Sequence, residues 1–117
     1  MRKSNSTNFL NEEDFLENCP ITSIFKVIGG RWKVIILWNL RNGKMRYNEL
    51  NKAIPKISQK MLTQQLKSLI ESGWIEKKDY RQIPPKTEYN LSDLGQSFIP
   101  ILEQIYDWGI NHKIGTR

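Results

Sequence analysis

Hydrophobic and polar positions follow a helical period over most of this chain and change to a two-residue period once, near its middle. Ile21, Ile24, Phe25 and Ile28 recur at the spacing of an amphipathic helix, opened by Cys19-Pro20 and closed by Gly29-Gly30. Residues 31–41 place Trp32, Ile35, Ile36, Trp38 and Leu40 over much of a helix circumference, which predicts the most buried helix of the set, ended by Gly43. A short helix over 46–54 carries Tyr47, Leu50 and Ile54 on one side and is broken at Pro55. Upstream, Asn11 before Glu12, Glu13 and Asp14 reads as a cap with an acidic first turn, predicting a short helix to about Glu17.

The segment from Ile57 to Gly73 is marked at both ends. Ser58 is placed to cap it, Ile57 and Leu62 fall at the positions of a hydrophobic staple, and Gly73 supplies a left-handed terminator. Leu62, Leu66, Leu69 and Ile70 share one arc, and Lys60, Thr63, Gln64 and Lys67 share the opposite one, with Met61 between them. A glutamine amide pairs bidentately with adenine, threonine offers a hydroxyl and a methyl, and lysine neutralises phosphate or contacts guanine. The plain alternative is a solvated surface helix. Such a face usually carries Glu and Lys one turn apart, whereas Glu71, in the last turn, is the sole acid here.

After Gly73 the period changes. Residues 74–80 and 86–91 read as two strands, the second alternating through Thr87, Tyr89 and Leu91, with Gln82-Ile83-Pro84-Pro85 as the turn. Two helices separated by Pro55-Lys56-Ile57 and followed by a hairpin have the layout of a helix-turn-helix with a wing, and Lys77, Lys78, Arg81 and Lys86 set cations along that wing. Ser92 then caps a long helix to about Asn111 with Pro100 inside it. Its apolar positions form two arcs, Leu94, Phe98, Ile101, Leu102, Ile105 and Trp108 on one, Ile99, Tyr106 and Ile110 on the other. One small domain rarely covers both, so this helix is the expected dimer interface, with Ile99, Leu102, Tyr106 and Ile110 as contacts, joined by Phe15 and Leu16 from the first helix. Docking of the helix on its own core is the alternative.

Charge sharpens this reading. The net charge is +6, but residues 19–57 carry +7 and residues 58–90 carry +2, while residues 1–18 carry −2 and residues 91–117 carry −1. A basic centre between near-neutral ends suits a domain that presents one face to a polyanion. A winged-helix protein-interaction module is the second reading, though such a surface has no need of this charge. With one cysteine and one histidine, far apart, and no phosphate loop or nucleophile elbow, neither a metal site, a cofactor nor an enzyme is expected. No apolar run approaches the roughly 20 residues of a transmembrane helix and no signal-peptide core follows the start, so the expected location is cytoplasmic.

Cys19-Pro20, Gly29-Gly30-Arg31-Trp32, Arg46-Tyr47-Asn48-Glu49-Leu50, Ile57-Ser58-Gln59-Lys60-Met61-Leu62, Glu88-Tyr89-Asn90-Leu91 and Trp108-Gly109, in this order, resemble the HxlR family of bacterial winged helix-turn-helix regulators, relatives of the MarR regulators. Arg31 stands where that family commonly has lysine. The resemblance implies a mainly α fold with a small β-hairpin and a homodimer that binds an inverted-repeat operator in double-stranded DNA. The expected division is an arm and short helix over 1–18, the winged core over 19–91 and a dimerisation helix over 92–117. Arg46, Lys56, Ser58, Gln59, Lys60, Thr63, Gln64, Lys67, Arg81 and Lys86 are then the DNA-contacting residues. The resemblance also implies a stress-sensing role for Cys19, since some members sense electrophiles or oxidants through the matching cysteine. At a helix N-terminus the macrodipole favours the thiolate, whereas Glu17 opposes it; an inert small hydrophobe is the alternative. An electrophile or other small-molecule effector follows from the same implication.

Overall fold

The structure, a computed structural model, describes residues 18–115. The expected helix over residues 11–17, including Phe15 and Leu16, lies outside them. The chain divides between Gly30 and Arg31 into two units. In the first, helix α1 (Pro20–Ile28) starts from Cys19, whose carbonyl accepts the Ser23 N–H at 2.8 Å, and ends where the Gly29 N–H returns to the Phe25 carbonyl at 2.8 Å. Gly30 follows at φ +88°, a conformation that costs glycine no steric clash.

The second unit holds α2 (Trp32–Asn39), a 3₁₀ turn (Leu40–Asn42), β1 (Met45–Arg46), α3 (Tyr47–Ala53), α4 (Gln59–Glu71), β2 (Ile75–Asp79), β3 (Thr87–Leu91) and α5 (Asp93–Asn111). Strand β3 lies between β1 and β2, both antiparallel to it, with Met45 opposite Tyr89 and Ile75 opposite Leu91. The hairpin expected from the sequence is therefore part of a three-stranded sheet. The two-residue β1 is too short to show an alternating pattern. Ile36, Leu37 and Leu40 meet Leu50, Ile54, Leu62, Leu66 and Leu69 in the core, and Ile75, Tyr89 and Leu91 extend it beneath the sheet.

Helix α4 ends in a complete Schellman arrangement. Gly73, at φ +84°, donates to the Ile70 carbonyl at 3.0 Å, and Trp74 donates to Leu69 at 2.9 Å. Ser92 links that end to the next helix: its hydroxyl donates to the Gly73 carbonyl at 2.6 Å and accepts the Gly95 N–H at 3.1 Å. Packing thus places the final helix in the same unit as the wing, where the sequence division set residues 92–117 apart. Phe98 meets Trp74 edge-on with centroids 5.2 Å apart.

The apolar surface of α5 is divided differently from expectation. Phe98, Leu102 and Gly95 are buried, and they occupy the middle of the apolar arc, so the core takes its centre and leaves both flanks open. Leu94, Ile101, Ile105 and Trp108 form one exposed flank, and Tyr106 and Ile110 stand on the other. Leu102, expected at a dimer contact, is only 5 % exposed and packs within its own chain. Tyr106 stacks on Trp38, centroids 5.3 Å apart and 18° between planes. At the helix end His112 stacks on Trp108, and its Nδ1 lies 2.9 Å from the Trp108 carbonyl, which can only accept; that nitrogen therefore carries the proton.

Candidate nucleic-acid interface

Helix α4 is fixed from its first turn. Ser58 Oγ accepts the Met61 N–H at 3.0 Å, and Ile57 and Leu62 are both buried as the staple requires. Leu62, Leu66 and Leu69 hold its back, leaving Gln59, Lys60, Thr63, Gln64 and Lys67 exposed on the front. Among the described residues, no intrachain hydrogen bond or ion pair occupies the Lys60, Gln64 or Lys67 side chain. Two neighbours steady the helix from outside it. The Tyr47 hydroxyl donates to the Gln59 carbonyl at 2.9 Å and lies 3.0 Å from Thr63 Oγ1. Lys33 Nζ donates to Gln65 Oε1 at 2.8 Å, and the Gln65 amide reaches Met61 Sδ at 3.2 Å. Met61, ambiguous on the helical wheel, is a half-buried partner of Gln65 at the edge of the packing face.

Arg46 and Lys56 are exposed beside this face, Arg46 at the start of α3 and Lys56 in the break before α4. The Arg46 N–H donates to Glu49 Oε1 at 2.8 Å, so the α3 start is capped while the guanidinium stays in solvent. Lys56 adopts φ +69° and Arg81 φ +51°, both left-handed, where a side chain costs free energy that glycine would not. On the wing Arg81 is exposed, its N–H accepted by Asp79 Oδ1 at 3.0 Å.

Lys86 departs from expectation. Rather than reaching outward, it sits 3.8 Å from Glu88 Oε2 and 4.5 Å over the Tyr80 ring, with its side chain 27 % exposed. Glu88 is the buried hub of this cluster. Tyr80 donates to its Oε1 at 2.6 Å, and Lys44 Nζ approaches the same oxygen at 3.4 Å. The Tyr80 hydrogen bond, aided by Lys44 and Lys86, holds the Glu88 carboxyl below the usual glutamate range, and the same contacts raise Lys44 and Tyr80 above theirs. Alternation along β3 directs Thr87, Tyr89 and Leu91 to one face and did not single out Glu88. The available hint was a single acid in the second strand, two residues after Lys86.

Cys19 lies at the N-terminus of α1, in the first unit. Its half-buried thiol lies below the ordinary thiol range, chiefly because the backbone N–H of Thr22, then that of Ile21, stabilises the thiolate.

The sequence matches the model of the HxlR-like helix-turn-helix family over residues 27–115. The chain is 44% identical over 100 residues to the uncharacterized HTH-type transcriptional regulator YdeP of Bacillus subtilis (strain 168), covering 86% of this chain and 78% of that one. It is 47% identical over 95 residues to YtcD of the same organism, likewise described as an uncharacterized HTH-type transcriptional regulator, covering 81% and 75%. The solved structure of the redox regulator HypR in its reduced form superposes with a TM-score of 0.77 at 39% identity, over 80% of this chain and 93% of that one. Its capped and buried helix-turn-helix, the sheet behind it and these matches over most of its length make this chain a transcriptional regulator of the HxlR-like helix-turn-helix family, and not an enzyme.

Proposed function

We propose that this regulator binds double-stranded DNA sequence-specifically as a homodimer, with α4 of each protomer in the major groove of one half of an inverted repeat. The observation that carries this is the open front of α4. Lys60, Gln64 and Lys67 are exposed and uncommitted among the described residues, on a helix whose two ends are capped and whose back is buried. Arg46, Lys56 and Arg81 flank that front as phosphate contacts, and Gln59, with Ser58 at the helix start, borders it. Selection of random duplexes by the purified chain should enrich one palindromic motif whose half-sites lie about one helical turn apart. Recovery of unselected sequence would end this assignment.

In the same proposal Cys19 adjusts DNA binding in response to an electrophile or oxidant. Its lowered thiol pKa supports this, as does the likeness to a protein described as a redox regulator. The chain holds no second cysteine, so the thiolate would be alkylated or would form a disulfide with a small thiol or with Cys19 of a second copy. Diamide or a quinone should release the wild-type protein from its selected duplex and leave Cys19→Ser bound. An equal response in the two proteins would remove Cys19 from the account.

A further inference from the structure

One side chain on the front of α4 is not free. A phenol has a single hydrogen, and Tyr47 gives it to the Gln59 carbonyl, which can only accept. Across the second contact, at 3.0 Å, the Thr63 hydroxyl must therefore be the donor and Tyr47 the acceptor. Thr63 lies at the centre of the exposed stripe, between Lys60 three residues before it and Lys67 four after it, beside Gln64. A free threonine hydroxyl serves either a donor or an acceptor on a base edge; this one has its proton committed.

We propose that Tyr47 is a specificity-positioning residue: by accepting the Thr63 hydroxyl hydrogen it removes Thr63 as a donor to a base edge, so that the γ-methyl favours thymine over guanine at one base of each half-site. Guanine presents O6 and N7, both of which require a donor, whereas thymine presents a C5-methyl for apolar contact. The inference rests on the reading of α4 as the groove helix. Tyr47 itself need not touch DNA. It acts from the first residue of α3, half-buried, by setting the hydroxyl of its neighbour.

The test compares duplex selection by wild type, Thr63→Val, Thr63→Ser and Tyr47→Phe, with affinity for random duplex and thermal midpoint measured on each. Thr63→Val keeps a methyl and lacks the hydroxyl, so it should retain thymine at the same symmetric pair of positions. Thr63→Ser keeps the hydroxyl and lacks the methyl, and should lose about fivefold of that preference. Tyr47→Phe frees the proton and should admit guanine there, with affinity for random duplex unchanged. Loss of thymine by Thr63→Val together with its retention by Thr63→Ser overturns the inference, as does a Tyr47→Phe profile identical to wild type. If Tyr47→Phe loses its fold, loss of thymine by Thr63→Val with its retention by Thr63→Ser still overturns the inference. A wild type that enriches no motif overturns the reading of α4 and this inference with it, whereas a motif indifferent to all three variants overturns the inference only.

Discussion

At Ser58 one hydroxyl satisfies a backbone donor that the first turn of α4 leaves open. Ser58→Ala should cost about 1 kcal/mol in urea unfolding, and a midpoint shift near zero would show that solvent replaces the cap fully. This residue was legible because cap, staple and terminator are local patterns in the sequence. Glu88 was not, since its partners Lys44 and Tyr80 lie 44 and 8 positions away and are brought together only by the sheet. Its carboxyl titrates lower in the folded chain than in the unfolded one. The resulting stabilisation is therefore complete above the ordinary glutamate range near about pH 4.3 and is lost as pH falls through the folded value. Thermal midpoints taken from about pH 6 down to about pH 3 should fall less steeply for Glu88→Gln than for wild type. Parallel curves would mean that Glu88 adds no proton-linked stability.

Among the elements, helices at 20–28, 32–39, 47–53, 59–71 and 93–111 could be placed from apolar spacing and caps alone, because that spacing is local in the sequence whether or not the stripe is buried: in α1 Ile28 is buried while Ile21 and Phe25 stay exposed. The division of α5 could not. Its sequence shows a broad apolar arc without stating which third faces inward, and Gly95 supplies the answer by allowing close approach to the wing. A Cβ built at Gly95 would run into the Trp74 carbonyl oxygen and stand 3.1 Å from Leu91 Cδ2. Alanine in a helix interior normally gains up to about 1 kcal/mol over glycine, yet Gly95→Ala should lose roughly 1–3 kcal/mol, because backbone rather than a flexible side chain must move. Chemical denaturation checks the sign. A stabilised Gly95→Ala would show that α5 can shift away from the wing without loss.

For the molecule as a whole, the proposed homodimer would use both an exposed flank of α5 and the open front of α4. Ile101 and Ile105, 49 % and 54 % exposed, lie one turn apart on the flank that the core leaves uncovered. A second copy seated there would bury them and carry a second α4, turning the other half-site's binding into an intramolecular step. Ile101→Asp with Ile105→Asp should therefore yield a monomer by sedimentation equilibrium with unchanged helical content, since both side chains are about half exposed and lie outside the buried core. Affinity for the selected palindrome should fall about a hundredfold or more through loss of that intramolecular advantage. The salt dependence separates this from damage to the DNA face. Each phosphate contact contributes about −0.9 to the slope of log affinity against log salt, so a monomer with intact contacts should show about half the slope of the dimer on a full site. On an isolated half-site it should bind like one protomer of the wild type. A variant that remains dimeric, or a monomer that holds the palindrome as tightly as wild type, would place the interface elsewhere than on this flank.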